Sequence, residues 1–224
     1  MDPMRRATTD AGETVQVSAG TATLDGTLVV PANARAVVLF AHGSGSSRHS
    51  PRNRFVAEVL QEGGLATLLV DLLTGEEEET EARTRQMRFD IDLLARRLIG
   101  AIDWLANQPA TRDFRVGLFG ASTGGGAALA AAADRPDRVG AVVSRGGRPD
   151  LAGSALRAVQ APTLLIVGEW DEPVIELNEQ ASRQMRAEVR LEIVPRATHL
   201  FEEPGALDDV ARLARDWFAR YLVG

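Results

Sequence analysis

The stretch GLFGASTGGG, from Gly117 to Gly126, joins an apolar run to a run of glycines and alanines. The apolar run predicts a buried strand and the small-residue run predicts a helix, so Ser122 stands at the turn between them. Gly120 and Gly124 allow a tight turn that leaves the serine oxygen exposed. A serine held in this way can act as a nucleophile, although glycines and serines also collect in ordinary turns.

Strand and helix patterns alternate on both sides of this turn. Continuous apolar runs predict six strands within residues 35–43, 65–73, 114–122, 139–147, 161–171 and 189–199. Helices are predicted near residues 51–64, 84–106, 124–133, 174–187 and 206–222, with a short one within 146–160. Residues 14–20 and 21–31 predict an antiparallel N-terminal pair. The pattern therefore predicts an α/β fold with a mostly parallel, doubly wound sheet of about eight strands.

The same pattern predicts a single domain. Residues 14–224 form the predicted α/β domain, and residues 1–13 form a flexible N-terminal segment that lacks the apolar core of a secretion signal. The connection between the fourth and fifth parallel strands is too short for a separate lid domain. The acidic stretch 74–84 is predicted to be a solvated connection that leads into the helix at 84–106.

Composition excludes several kinds of chemistry. The sequence has no lysine and no cysteine, and arginine supplies all 25 basic residues. A Schiff-base lysine, a thiolate nucleophile, a disulfide and a thiolate metal site are therefore impossible. Three histidines are too few for a His-rich metal site, so no metal is expected. A net charge of −6 gives no support to nucleic-acid binding, and no apolar run is long enough for a membrane span. A cytoplasmic protein is expected.

A serine nucleophile needs a base, and the base needs an acid that orients it. In this architecture the chain order is serine, acid, histidine, and His199, after the last predicted strand, is the only histidine beyond the turn. The acid is expected after the fifth parallel strand, where the sequence offers Glu169, Asp171 and Glu172. Asp171 is the first choice because it lies past the strand end in a loop; the alternative interpretation is a helix-capping aspartate.

Two backbone N–H groups are expected to form an oxyanion hole. One belongs to Thr123, directly after the serine, and the other comes from the loop HGSGSSRHSPRN after the first parallel strand. Gly43 and Gly45 let that loop approach a substrate closely, and the N–H of Ser44 is the candidate donor. His42 is predicted to shape the loop through hydrogen bonds rather than to act as a second base.

Together these motifs resemble the α/β-hydrolase fold and, within it, the dienelactone hydrolase family and its small serine-esterase relatives. The resemblance extends over residues 14–223 and rests on HGSG at 42–45, GASTG at 120–124, VGEWDEPV at 167–174 and ATHLFEEPG at 197–205. It implies an acyl-enzyme mechanism without a cofactor. Dienelactone hydrolases are known for a cysteine nucleophile, so the serine at this position weakens any claim to dienelactone itself.

The resemblance and the motifs predict a serine esterase that cleaves short-chain or lactone esters, with a small molecule as its partner. Ser122, Asp171 and His199 are the predicted catalytic triad. The same groups also serve thioesterases, acyltransferases and perhydrolases, and the fold also occurs in non-catalytic binding modules.

Two residues are candidates for substrate binding. Arg145 follows the fourth parallel strand and can bind a carboxylate or phosphate group through its planar guanidinium. Trp170 adjoins the predicted acid and can line an acyl pocket. The alternative for the arginines at this edge is an ion pair with a local acid such as Asp150.

Overall fold

A computed structural model describes residues 12–224, so residues 1–11, which make up most of the predicted flexible segment 1–13, lie outside the described residues. The described chain contains an eight-stranded sheet in the order β1-β2-β4-β3-β5-β6-β7-β8. The strands are β1 Glu13–Ala19, β2 Ala22–Val29, β3 Ala36–Ala41, β4 Ala66–Val70, β5 Arg115–Ala121, β6 Val139–Arg145, β7 Thr163–Gly168 and β8 Val189–Val194.

The sheet is mostly parallel, with an antiparallel N-terminal edge. β1 pairs antiparallel with β2, and β2 with β4, whereas all other neighbouring strands are parallel. Every residue of β3, β4, β6 and β7 is buried, as expected for strands covered on both faces. The edge strand β8 is partly exposed. This topology confirms the predicted sheet.

Helices cover both faces of the sheet. They are α1 Pro51–Glu62, α2 Gly75–Thr84, α3 Ile91–Leu105, α4 Thr123–Asp134, α5 Glu172–Ser182 and α6 Ala206–Phe218. One apolar core lies between the sheet and α1 and α6, and the other lies between the sheet and α3 and α4. A 3-10 helical segment, Pro149–Ala158, fills the connection from β6 to β7. No separate lid is present in the described part of the chain.

One predicted connection is a helix instead. Residues 75–84 form α2, and α3 begins at Ile91 rather than near residue 84. A capping box starts α2, because the Thr74 hydroxyl accepts from the N–H of Glu77 and the Glu77 carboxylate accepts from the N–H of Thr74 at 2.8 Å. The acidic residues in the first turn also stabilise the helix, because their negative charges lie near the positive end of the helix dipole. The loop prediction is wrong because these terminal interactions offset the repulsion within the acidic run.

The turn at Ser122 requires close packing of α4 against the neighbouring strands. A Cβ atom at Gly124 would lie 2.3 Å from the carbonyl oxygen of Ala41, and one at Gly120 would lie 2.5 Å from the carbonyl oxygen of Gly124. Both distances are far below van der Waals contact, so the packing admits only glycine at these two positions.

We expect Gly124→Ala to lower the free energy of unfolding by about 1–3 kcal/mol, because α4 must move away from β3 to admit the methyl group. Gly75→Ala is the matched control, since a Cβ atom at Gly75 meets nothing within 4 Å. Urea denaturation measures both variants. Wild-type stability of Gly124→Ala would contradict the close contact between α4 and β3.

Candidate active site

Ser122 lies at the carboxyl edge of the sheet in a backbone conformation that is rare for serine. It connects β5 to α4 with φ +52° and ψ −123°. Such a conformation costs a non-glycine residue about 1–3 kcal/mol, and strain of this kind is concentrated at functional sites. Ser122 occupies the N-cap position of α4, yet its side chain makes no capping hydrogen bond. The turn therefore holds a serine hydroxyl that the helix does not use.

Asp171 and His199 meet at the same edge of the sheet. Nδ1 of His199 lies 2.6 Å from Oδ2 of Asp171. A carboxylate can only accept, so Nδ1 carries the proton and Nε2 is the nitrogen that can take one. Asp171 is the N-cap residue of α5, but its side chain makes no capping hydrogen bond there. The carboxylate therefore orients the imidazole and does not cap the helix.

The two other acids that the sequence offered have different surroundings. Oε2 of Glu169 accepts from the backbone N–H of Arg196 at 2.6 Å. Glu172 is the first residue of α5 and is exposed. The structure thus brings Asp171, and neither glutamate, into hydrogen-bond contact with the imidazole.

The loop after β6 connects the surroundings of Ser122 and His199. The N–H of Ser122 donates to the carbonyl oxygen of Arg145 at 3.2 Å. The next residue, Gly146, has a φ of +51°, and a Cβ atom there would lie 3.4 Å from both Nδ1 and Cε1 of His199. The imidazole therefore packs on the residue that directly follows the backbone partner of Ser122.

The two candidate oxyanion donors lie next to each other. A Cβ atom at Gly43 would lie 3.1 Å from Cβ of Ser122, which shows how closely the loop after β3 approaches the turn. The N–H of Ser44 donates to Oγ1 of Thr123 at 3.1 Å, and the two hydroxyl oxygens are 3.0 Å apart. The Ser44 N–H therefore already has a partner, which sequence reasoning did not anticipate.

His42 makes two hydrogen bonds to the backbone, one through each ring nitrogen. Nε2 accepts from the N–H of Leu72 at 3.1 Å, so Nδ1 carries the proton and donates to the carbonyl oxygen of Gly43 at 3.0 Å. His42 is buried, and these bonds tie the loop after β3 to the end of β4. Both ring nitrogens are occupied, which is the loop-shaping arrangement that the sequence predicted.

The two candidate substrate-binding residues have opposite surroundings. Trp170 is exposed beside the acid. Arg145 is 7% exposed, and its guanidinium lies 5.8 Å from the centre of the Phe201 ring. Burial, and secondarily the charge of Arg52, lowers the pKa of Arg145 to about 10, so the guanidinium is still charged near neutral pH. By contrast, Arg148 forms two hydrogen bonds with Asp150, at 2.8 and 2.7 Å.

Arg88 is a neighbour of the site that the sequence did not reveal. It lies between α2 and α3 and is paired with the buried carboxylate of Glu81. Its carbonyl oxygen accepts from the Ser44 hydroxyl at 3.4 Å, and its guanidinium lies 3.6 Å from the position of a Cβ atom at Gly45. No local motif points to this contact, because it arises only when the segment carrying α2 folds back over the loop after β3.

The described residues contain neither a metal-binding cluster nor a membrane-spanning helix. Within residues 12–224, no three histidine, aspartate or glutamate side chains are grouped so that they could hold a metal ion. No helix in the described ranges combines the length and the apolar character needed to cross a membrane.

Comparisons with known proteins agree with the resemblance in the motifs. The sequence model of the dienelactone hydrolase family matches residues 24–222. The crystal structure of a dienelactone hydrolase from Anabaena variabilis is 66% identical, has a TM-score of 0.93, and is matched over 94% of this chain and 98% of that one. Est1E from Butyrivibrio proteoclasticus is 17% identical with a TM-score of 0.76, over 93% and 98% of the two chains. The architecture is the α/β-hydrolase fold.

Longer relatives carry a different name. Two curated proteins from Mycobacterium tuberculosis, strains CDC 1551 and H37Rv, are each named "Putative phosphoribosyl transferase". Each is 60% identical over 212 residues, which is 95% of this chain and 47% of the relative. The chain thus spans about half the length of the curated relatives that it matches.

Proposed function

Because the chain belongs to the dienelactone hydrolase family, we propose that it is a serine hydrolase that cleaves short-chain or lactone carboxylic esters. Ser122 is the proposed nucleophile, His199 the base and Asp171 the acid that orients the base. The observation that carries the proposal is the 2.6 Å contact between Nδ1 of His199 and Oδ2 of Asp171, at the same sheet edge as a serine on a strained turn.

In the proposed reaction, Nε2 of His199 takes the proton from the Ser122 hydroxyl while Oγ attacks the acyl carbon. The tetrahedral intermediate expels the alcohol oxygen, which receives that proton from His199, and the acyl group stays on Ser122. A water molecule then loses a proton to the same imidazole and attacks the acyl carbon. The carboxylic acid leaves, and the proton returns to Ser122. Asp171 stabilises the imidazolium in both halves of the reaction.

The proposed oxyanion hole consists of the N–H groups of Thr123 and Ser44. Thr123 is the first residue of α4, so its N–H has no carbonyl partner inside the helix. The N–H of Ser44 points at Oγ1 of Thr123. It must therefore exchange this hydroxyl for the oxyanion, or share its proton between the two, when the intermediate forms. Losing one such donor raises the barrier by about 3–4 kcal/mol.

The transferase name of the mycobacterial relatives is compatible with this proposal. The part of those proteins that resembles this chain is about half of their length, and in this chain that part matches the hydrolase family. The name belongs to proteins about twice the length of the matched part, so it does not assign a transferase activity to this chain.

Initial rates with p-nitrophenyl acetate, butyrate and octanoate test the proposal. We expect turnover, with the highest kcat/KM for the shorter esters. A fluorophosphonate, which reacts with activated serines, should label Ser122 and abolish that turnover. Absence of both turnover and labelling would contradict the proposal, whereas labelling without turnover would direct the search to thioesters or other acyl donors.

A further inference from the structure

The strand β8, Val189–Val194, forms one outer edge of the sheet, and no further strand in residues 12–224 pairs with it. On its inner side it pairs with β7 in an unbroken parallel register. The carbonyl oxygen of Glu188 accepts from the N–H of Thr163 at 2.8 Å. The carbonyl oxygen of Val194 accepts from the N–H of Glu169 at 2.9 Å. The even-numbered residues of β8 therefore direct their backbone groups towards β7.

The odd-numbered residues of β8 face away from the sheet. Because successive residues of a strand alternate, Val189, Leu191 and Ile193 direct their N–H and C=O groups outward. An edge with such groups is a template on which another strand can pair. Ile193 is also one of the few large apolar side chains that are exposed in the described part of the chain. The edge thus offers backbone hydrogen bonds together with apolar surface.

The sequence of β8, VRLEIV, is complementary to itself in the antiparallel direction. With a two-fold axis at Leu191, this residue faces its own copy. Val189 then lies opposite Ile193 on the same face of the sheet, and these outward-facing residues exchange the backbone hydrogen bonds. On the other face, Arg190 lies opposite Glu192. This charged pair falls at a non-hydrogen-bonded position, where the Cα atoms of facing residues are only about 4.5 Å apart.

Neighbouring registers lack this complementarity. Moving the two-fold axis by one residue sets Arg190 opposite Arg190, or Glu192 opposite Glu192, and like charges directly opposite destabilise a strand pair. Within one chain Arg190 and Glu192 form an ion pair with each other, and both side chains are accessible to solvent. Pairing about Leu191 gives each charge an opposite partner across the interface. The charges therefore favour one register.

We propose that β8 is an interaction surface for a second copy of this chain, and that two copies pair antiparallel about Leu191 into one continuous sheet. The occupant is a second copy because the charges and apolar residues of β8 complement themselves. A single strand edge is a small interface, so we expect a weak dimer with a dissociation constant of about 1–100 µM. This surface lies outside the proposed active site, and its test needs no turnover.

Sedimentation velocity of the full chain tests the pairing. Between about 1 and 300 µM we expect wild type to change from monomer to dimer. Arg190→Glu and Glu192→Arg should each raise the dissociation constant about 10- to 100-fold, because two attractive pairs become two repulsive ones. Arg112→Glu is the matched control, since it reverses the charge of an exposed arginine before β5, and it should dimerise as wild type does. A wild type that stays monomeric at every concentration would overturn the proposal.

Mixing the two charge-reversal variants tests the register. A copy with Arg190→Glu and a copy with Glu192→Arg again set opposite charges at both facing positions. We expect the equimolar mixture to form a heterodimer with about the wild-type dissociation constant, although each variant alone is largely monomeric. A mixture that associates no better than its components would exclude the register about Leu191.

Proline at Leu191 tests the backbone hydrogen bonds. The N–H of Leu191 points away from β7, so Leu191→Pro removes a hydrogen bond of the proposed dimer and none of the ladder with β7. We expect this variant to stay monomeric, and Leu191→Ala, which keeps the N–H, to dimerise within about tenfold of wild type. Wild-type dimerisation of Leu191→Pro would exclude β8 as the surface. If circular dichroism shows that Leu191→Pro does not fold, the charge-reversal variants and their mixture still decide the proposal.

Discussion

Replacing Ser122 with alanine should lower kcat for p-nitrophenyl acetate by about five to six orders of magnitude, the size of effect expected when a serine nucleophile is removed. The variant loses the oxygen that forms the proposed acyl-enzyme, but it keeps the backbone of the turn and both proposed oxyanion donors. Steady-state rates and fluorophosphonate labelling measure the loss. Ser182→Ala, at the far end of α5, is the control and should retain wild-type rates, because its hydroxyl only donates to the carbonyl oxygen of Glu179.

A glycine variant separates the chemistry of Ser122 from its strain. Glycine adopts the φ of +52° without steric cost, so Ser122→Gly should be as inactive as the alanine variant. Its free energy of unfolding should nevertheless rise by about 1 kcal/mol, because relief of strain exceeds the entropy that glycine loses on folding. Activity of either variant within tenfold of wild type would rule out Ser122 as the nucleophile.

Asp171→Asn should lower kcat by about 10⁴-fold with little change in the fold. The amide can occupy the same space, but its NH₂ group can donate to Nδ1 and so favour the wrong tautomer of His199. In that tautomer Nε2 carries a proton and cannot take the one from Ser122. Measurements of kcat against pH, combined with circular dichroism, distinguish this loss from unfolding.

Glu169→Gln is the matched control for the acid. Glu169 lies two residues before Asp171, but its carboxylate accepts from the N–H of Arg196 and does not contact the imidazole. The variant should therefore keep kcat within a few-fold of wild type. A large loss in Glu169→Gln together with wild-type activity of Asp171→Asn would transfer the role of the acid to Glu169.

Local patterns were sufficient for the architecture and for placing the three proposed catalytic residues at one edge of the sheet. Apolar runs that end in glycine or a polar residue mark buried strands, and parallel strands bring their carboxyl ends to one edge of a sheet. Ser122, Asp171 and His199 each follow such a run, so their position at the same edge follows from chain order and strand direction. The glycines around Ser122 also predicted the tight turn correctly, because a turn packed against β3 leaves no space for a side chain.

The same patterns were wrong for the acidic run before α3, and they missed two contacts of the loop that carries Ser44. The acidic run before α3 predicted a solvated connection, but the Thr74 and Glu77 capping box makes it a helix. That helix brings Arg88 to the loop that carries Ser44. The hydroxyl of Thr123 was not recognised as a partner for the Ser44 N–H, because the two residues are distant in the chain and meet only across the sheet edge.

The sequence by itself determined the fold class, the turn at Ser122 and the order of the proposed triad, since each depends on neighbours within a few residues. Tertiary structure alone decided which of two nearby arginines forms an ion pair with a carboxylate in the described residues. Arg145 ends β6 and Arg148 lies three residues further along the chain, yet Arg148 reaches Asp150 whereas Arg145 is buried against the ring of Phe201. Burial and charge pairing depend on groups that distant segments bring together, and no local pattern contains that information.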